Sequence, residues 1–168
     1  TQGSGKSFAM LYAAKNLLER NVINSPQVFI IVDTDKLASQ MSDNLSAIGF
    51  ERSEVAGSIK HLQDLIEEGK SQLVLTTIQK FQDIEPDSAG NDDIVVMSDE
   101  AHRFMEADLG SRLEAAIPHA FHFGFTGTPV QEGTSQLDRD TFREFSPEGE
   151  ECLHHYSIKA GIEDELIL

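Results

Sequence analysis

The chain has 168 residues and a formal net charge of −16 at pH 7, and its hydrophobic fraction of 39% is that of a globular protein with one domain. The charge excludes a basic domain that coats nucleic acid, although phosphates can also be held through a few backbone amides and hydroxyls. The single cysteine, Cys152, excludes an internal disulfide, and no apolar run approaches the roughly 20 residues of a membrane span. We therefore expect a cytoplasmic protein without a membrane partner.

The first seven residues, TQGSGKS, match the second half of the phosphate-binding pattern G-x-x-x-x-G-K-[ST]. Small residues let backbone N–H groups form an anion-binding nest, and the following helix adds its positive N-terminal end. In such a loop Lys6 reaches the phosphates and the Ser7 hydroxyl ligates Mg²⁺. An ordinary Gly/Ser-rich turn is the alternative. The pattern predicts an ATP and Mg²⁺ site formed by Thr1, Gln2, Gly3, Ser4, Gly5, Lys6 and Ser7.

The loop is followed by alternating helices and strands. Apolar periodicity and short apolar runs predict helices at 8–20, 36–48, 59–68, 106–117 and 137–145, and strands at 27–32, 54–58, 72–76, 94–97, 120–125 and 154–158. This alternation indicates a parallel sheet with helices on both faces, an α/β fold. Phe121, Phe123 and Phe125 alternate along one strand, so we expect core or stacking residues there. The first Gly of the loop pattern and its feeding strand would precede Thr1, so we expect an N-terminally truncated piece of a longer protein.

An acidic motif, DEAH, follows the predicted strand 94–97. Ligands of parallel sheets bind beyond the C-terminal ends of the strands. Here Asp99 would hold Mg²⁺, Glu100 would orient and deprotonate the attacking water, and His102 would sense the γ-phosphate or couple the site to its surroundings. Two acids that cap the next helix are the alternative. The upstream Gly-Lys-Ser loop favours the hydrolytic interpretation, with Lys6, Asp99 and Glu100 as catalytic residues.

The turn Thr126-Gly127-Thr128-Pro129 follows the next predicted strand. Its hydroxyls and tight Gly turn can contact both the acidic motif and a neighbouring domain. Gly and Pro also mark ordinary turns, but the order and distance of this turn after the acidic motif favour a coupling role.

Two further segments, Thr76–Gln79 and Asp33–Gln40, also follow predicted strands. Hydroxyls and amides in such positions can hold a nucleic-acid backbone. They can equally cap helices, and spacing alone leaves both interpretations open.

The ordered set GSGKS, VDTDKLASQ, TTIQKF, DEAHR and FTGTPV resembles the first motor domain of superfamily 2 helicases. More narrowly, it is similar to the motor of the restriction (R) subunit of type I restriction-modification enzymes. RNA helicases of the DEAH type usually carry Ser-Ala-Thr where this chain has Thr-Gly-Thr. The resemblance covers essentially the whole chain, and it implies a three-layer RecA-like lobe over residues 1–168 of a P-loop NTPase.

Members of that family translocate double-stranded DNA by ATP hydrolysis, and a nuclease domain elsewhere in the subunit cuts the DNA. The resemblance implies three further partners: a second RecA-like lobe, a modification subunit and a specificity subunit. By motif, Thr126, Gly127 and Thr128 would couple hydrolysis to motion. The residues implied along the DNA track are Asp33, Gln40 and Thr77. The family often has a basic residue where this chain has Thr34, which weakens the DNA inference at that point.

Two alternatives remain at this stage. The first is another superfamily 2 DNA motor, such as a repair helicase or a remodeller. The second is a non-hydrolysing, nucleotide-responsive interaction module, against which the intact Lys6, Asp99 and Glu100 argue. We expect the 168 residues alone to hydrolyse ATP negligibly, because an arginine from a second lobe completes such sites.

Overall fold

The structure is a computed structural model that describes residues 5–20, 23–101 and 109–127. Several predictions lie outside these residues: the helix at 137–145, the strand at 154–158, and the site residues Thr1–Ser4, His102 and Thr128.

Helices and strands alternate through the described residues. In chain order these are α1 (Lys6–Glu19), β1 (Gln27–Val32), α2 (Asp35–Ala47), β2 (Ser53–Val55), α3 (Ile59–Glu68), β3 (Leu73–Thr77), a 3₁₀ turn (Ile78–Phe81), β4 (Ile94–Asp99), α4 (Leu109–Ala116) and β5 (Phe121–Phe125). The strands form one parallel sheet in the order β2-β3-β1-β4-β5. Within the described residues, the predicted α/β fold is confirmed.

Helices cover both faces of this sheet. On one face, Met10 of α1 and Met41 of α2 pack in the cluster that contains Ile30. On the other, Leu62 of α3 and Leu113 of α4 pack in the cluster that contains Phe29. Strands β1, β3 and most of β4 are buried on both sides, which explains their continuous apolar runs without polar alternation. The predicted three-layer arrangement is therefore confirmed.

Strand β5 lies at one edge of the described sheet. Phe121 and Phe123 pair in register with Val95 and Met97, on the face that carries α1 and α2. We expected core or stacking residues, and the core role is wrong for two of them, because Phe121 is 58% exposed and Phe123 is 38% exposed. Phe125 is partly buried against the core. Period-two alternation assigns residues to a face correctly, but it does not show whether that face is covered.

Local signals set the helix boundaries. The Thr34 hydroxyl accepts a hydrogen bond from Leu37 N at 3.3 Å, and α2 therefore starts at Asp35. The Ser58 hydroxyl caps α3 in the same way, and Gly69 ends that helix with a left-handed φ of 57°. The segment after β1 was predicted either to hold a nucleic-acid backbone or to cap a helix, and Thr34 serves as a helix cap.

Candidate nucleotide-binding site

The candidate site lies at the C-terminal end of the sheet, which is the end where its parallel strands finish. Strand β1 has β3 on one side and β4 on the other. The chain crosses from one side of β1 to the other between β3 and β4, so connections leave β1 and β4 in opposite directions. Such a switch point forms a crevice beyond the strand ends, where α/β proteins bind ligands.

Helix α1 begins at this crevice. Its first flanking residue, Gly5, has a φ of 76°, and a Cβ built there would meet nothing within 4 Å. Gly5 supplies no side-chain cap, so the N–H groups of the first turn keep their capacity to donate to an anion. Their partial positive charge favours a phosphate there. Lys6 and Ser7 are the first two residues of this helix and are half-buried.

Lys6 connects the helix start to the acidic motif. Its Nζ forms a salt bridge with Glu100 Oε1 at 3.2 Å. The two residues are 94 positions apart in the chain, so only the fold brings them together. This contact joins the loop that was predicted to bind phosphate to the carboxylate that was predicted to activate water.

The backbone at Glu100 is in an unfavourable conformation. Its φ is 50°, in the left-handed region that a residue with a Cβ seldom adopts. The backbone N–H of Glu100 donates to Asp99 Oδ1 at 3.1 Å, which ties the two acidic residues into one local turn. Strain of this kind costs about 1–2 kcal/mol and is typical of functional sites.

Asp99 carries the perturbed carboxyl group of the site. Burial raises its pKa above the ordinary value, the Lys6 ammonium opposes this rise, and the charges of Glu100 and Asp33 add to it. Burial is therefore the main cause of the raised pKa, and Lys6 is the largest single charge effect on this carboxyl group. A divalent cation bound at this position would compensate the charge of the carboxylate.

The oxygen groups of this site suit a metal ion that is bound partly by protein side chains and partly by the phosphates of a ligand. Among the described residues, no group of three or more His, Cys, Asp and Glu side chains could hold a metal ion alone. Mg²⁺ commonly binds one or two carboxylates and completes its shell with water and nucleotide phosphates. A hydroxyl from Ser7 and a carboxylate from Asp99 match that requirement.

The remaining predicted site residues that the structure describes follow strand ends or lie on α2. Asp33 follows β1 and is exposed, as is Gln40 on α2, whereas Thr77 at the end of β3 is only 6% exposed. Thr126 and Gly127 follow β5, whose last residue Phe125 pairs with Asp99. The turn that was predicted to couple the site thus begins beside the acidic motif.

Sequence reasoning missed Lys80. This lysine lies in the 3₁₀ turn after β3, is buried, and forms an ion pair with Asp35. The signal in the sequence was a lysine directly before Phe81 and two residues after Ile78 in the stretch IQKF.

The described part of the chain contains no helix with the length and hydropathy needed to cross a bilayer.

The class of protein is defined by three features, which are a parallel sheet, a helix that starts at Gly-Lys-Ser and a pair of acidic residues at the end of β4. Together they define an α/β nucleotide-hydrolase lobe. Comparison with known families agrees: the SWI2/SNF2 ATPase profile matches residues 1–168, and the chain belongs to this family. As part of an ATPase family, the chain is a nucleotide-binding lobe.

Similar curated proteins are endonuclease subunits of type I restriction enzymes. The chain is 35% identical over 149 residues to the putative MjaIXP endonuclease subunit of Methanocaldococcus jannaschii, a match that covers 86% of this chain and 14% of that protein. It is 30% identical over 175 residues to the SsaAORF53P endonuclease subunit of Staphylococcus saprophyticus, which covers 100% of this chain and 18% of that protein. The chain therefore spans less than a fifth of the length of these relatives. The predicted resemblance to R subunits is confirmed.

A solved structure supports the fold. A nuclease-deletion mutant of the Type ISP restriction-modification enzyme LlaGI, in complex with a DNA substrate mimic, superposes with a TM-score of 0.61 at 15% identity. The match covers 98% of this chain and 16% of that one. At this identity the likeness supports the RecA-like fold alone.

Proposed function

We propose that this chain is the ATP-binding lobe of an ATP-dependent double-stranded DNA translocase, of the kind carried by R subunits of type I restriction enzymes. The observation that carries the proposal is the 3.2 Å contact between Lys6 Nζ and Glu100 Oε1. It joins a phosphate-loop lysine to a carboxylate beyond a buried strand, in a chain of an ATPase family. The similarity to type I endonuclease subunits supports the restriction context.

In this proposal, bound Mg²⁺–ATP supplies the phosphoryl group that is transferred to water. The N–H groups at the start of α1 hold the phosphates, and the Lys6 ammonium moves from Glu100 to the phosphate oxygens. Ser7 and Asp99 hold the metal. Glu100, once released by Lys6, orients a water molecule and accepts its proton.

We further propose that DNA runs along the C-terminal end of the sheet past Asp33, Gln40 and Thr77. The exposure of Asp33 and Gln40 supports this path. The burial of Thr77 restricts its contribution to its backbone or to a shift of its neighbours. With a net charge of −16, other parts of the protein must supply most of the positive field that attracts DNA.

Residues 1–168 would then form the first of two RecA-like lobes in a cytoplasmic protein with a nuclease domain elsewhere in its chain. The second lobe supplies the arginine that completes the ATP site, and Thr126, Gly127 and Thr128 couple the lobes. Modification and specificity subunits are the proposed protein partners. The exposed edge of β5 supports a further strand ahead of the loop, since such a strand would pair there and cover Phe121 and Phe123.

The decisive experiment measures ATP hydrolysis by the full-length protein, with and without double-stranded DNA. Lys6→Ala and Glu100→Gln should each lower DNA-stimulated turnover by at least about 100-fold, because the first removes phosphate binding and the second removes the general base. Lys15→Ala is the matched control on the same helix, since the ion-pair partner of Lys15 among the described residues is Glu19, one turn away. It should leave turnover within about 2-fold of wild type.

Three outcomes would contradict the proposal. Turnover that survives either site substitution would point to another ATP site. A wild-type rate of ATP hydrolysis that does not change when DNA is added would argue against a DNA motor. Nucleotide binding without any hydrolysis in the wild-type protein would favour an interaction module.

A further inference from the structure

Lys80 is a buried lysine that the nucleotide site does not use. Its side chain is 10% exposed, and the neighbouring Ile78 and Phe81 are part of the apolar core. Lysine is rarely buried unless its charge is paired, because removing an ammonium from water is costly. The partners of Lys80 therefore need a physical explanation.

The ammonium group of Lys80 has two oxygen partners among the described residues. Lys80 Nζ forms an ion pair with Asp35 Oδ1, and it donates a second hydrogen bond to Thr77 Oγ1 at 3.5 Å. Asp35 is the first residue of α2, and Thr77 is the last residue of β3. Lys80 thus joins the start of a helix to the end of a strand that the helix does not directly follow.

These two partners belong to neighbouring connections at the C-terminal end of the sheet. Val32, at the end of β1, pairs with Thr77 in register, and α2 begins three residues after Val32. Asp33 lies in the first connection and Thr77 directly precedes the second, and both are residues of the proposed DNA track. The ammonium therefore fixes the relative position of two segments that DNA would contact together.

The charge of Lys80 also suits this location. The Asp35 side chain is 71% exposed, and a solvated carboxylate beside a DNA backbone repels its phosphates. An adjacent ammonium offsets that repulsion. The ammonium is itself too enclosed to approach a phosphate in solvent, which argues against direct DNA contact.

We propose that Lys80 is a positioning residue for DNA-stimulated ATP hydrolysis: it holds Asp35 against Thr77, so that the segments after β1 and β3 present one rigid, locally neutral surface to the DNA backbone. This inference rests on the proposed function as a DNA motor. It assigns Lys80 no contact with ATP or DNA.

The test uses the full-length protein and measures the DNA concentration that gives half-maximal ATPase stimulation. Lys80→Met keeps most of the side-chain volume and removes the charge, whereas Asp35→Asn changes an exposed side chain and removes the counter-charge of the lysine. Each should raise the half-saturating DNA concentration by about 3- to 10-fold. The double variant should be no worse than the more severe single variant, because both remove one interaction. Basal ATPase activity and the KM for ATP should stay unchanged.

The matched control is Lys70→Met. Lys70 pairs with Glu68 before the opposite end of the same strand, β3, so this substitution also removes one lysine charge and one ion pair. It should leave the half-saturating DNA concentration unchanged. The inference fails if Lys80→Met changes the half-saturating DNA concentration no more than Lys70→Met does. It also fails if Asp35→Asn and Lys80→Met both leave this concentration unchanged, or if their effects on it are strictly additive in the double variant. Should Lys80→Met not fold, Asp35→Asn alone decides.

Salt dependence separates positioning from direct contact. Removing a lysine that binds a phosphate lowers the magnitude of the slope of log affinity against log salt concentration by about 1. We expect Lys80→Met to leave this slope unchanged, and a loss of about 1 would overturn the positioning role. Failure of the underlying function looks different: the wild type would show no DNA stimulation, or Lys6→Ala would retain turnover.

Discussion

The two ends of the parallel sheet are held together by different interactions. At the N-terminal end, where the strands begin, hydrogen bonds to backbone carbonyls connect the loops: Gln27 N donates to Asp93 O at 3.0 Å, and the Asn91 amide donates to Ser25 O and Gly69 O, each at 3.0 Å. Charged groups at this end bind carbonyls or near neighbours, as in the contact of Arg52 with Ser71 O and the Lys70–Glu68 ion pair. At the C-terminal end, ion pairs instead join residues that are far apart in the chain, Lys6 with Glu100 and Lys80 with Asp35. We therefore expect stability and activity to depend on separate ends of one sheet.

Backbone packing at the N-terminal end is very close. A Cβ at Gly69 would lie 2.2 Å from Gly90 O, and a Cβ at Gly90 would lie 2.0 Å from Glu67 O. The end of α3 and the loop before β4 therefore touch backbone to backbone. The C-terminal end instead contains the half-buried carboxyl group of Asp99 with a raised pKa, which is unfavourable for folding but suited to binding a cation.

The largest expected effect on stability is at Gly90. Gly90→Ala should lower the free energy of unfolding by about 3 kcal/mol, because the added methyl must displace a backbone carbonyl. Chemical denaturation of the full-length protein would measure it, with Gly57→Ala as the control, since a Cβ there meets nothing within 4 Å. ATPase activity per folded molecule should be unchanged. Loss of activity in a fully folded Gly90→Ala protein would contradict the separation of the two ends.

Asn91→Ala should have the next largest effect. It removes two hydrogen bonds to carbonyls and the oxygen that accepts from Asp93 N at 2.8 Å, so we expect a loss of about 1–2 kcal/mol. Asn16→Ala is the control, because within the part of the chain that the structure describes its amide donates to Tyr12 O, one turn earlier on an exposed helix face. Equal effects of the two substitutions in denaturation would show that Asn91 does not tie the loops together.

Left-handed backbone occurs at both ends of the sheet and allows a matched test. Ser25 and Glu100 both have a φ of 50°, and glycine at either position should relieve about 1 kcal/mol of strain. Ser25→Gly should raise the melting temperature and retain turnover. Glu100→Gly should melt higher than Glu100→Gln, with both inactive. Retained turnover in Glu100→Gly would exclude Glu100 as the general base.

The smallest expected effect is a gain of stability. Because burial raises the pKa of Asp99 above its usual 3.8, the native state holds this proton more tightly than the unfolded state, and the charged carboxylate is unfavourable as pH rises above that range. Without Mg²⁺ or nucleotide, Asp99→Asn should raise the melting temperature by about 1–3 °C at neutral pH. The gain should shrink as pH falls toward 3.8. A gain that is independent of pH would show that it does not come from this carboxyl group, and ATPase activity should be lost throughout.

Much of the fold was accessible from local patterns. The boundaries of β1 and α3 agree with the prediction, because a continuous apolar run and a Gly69 stop are signals read within a few residues. The small strand β2 was placed one residue late and too long, at 54–58 rather than Ser53–Val55. The three residues of β2 are all partly exposed, and a strand this short has too little hydrophobic periodicity to mark its ends. Its pairing with β3, a long-range interaction, decides where this strand lies.

The sequence by itself determined the alternation of helices and strands, the α/β class and the residue types that suit a phosphate and a metal, because these depend on periodicity and side-chain chemistry. Tertiary structure alone decided which of these residues meet. It brought Lys6 to Glu100, enclosed Lys80 between Asp35 and Thr77, and left Phe121 and Phe123 exposed. The physical reason is that strand order and helix packing bring distant parts of the chain together, and no local pattern encodes such contacts.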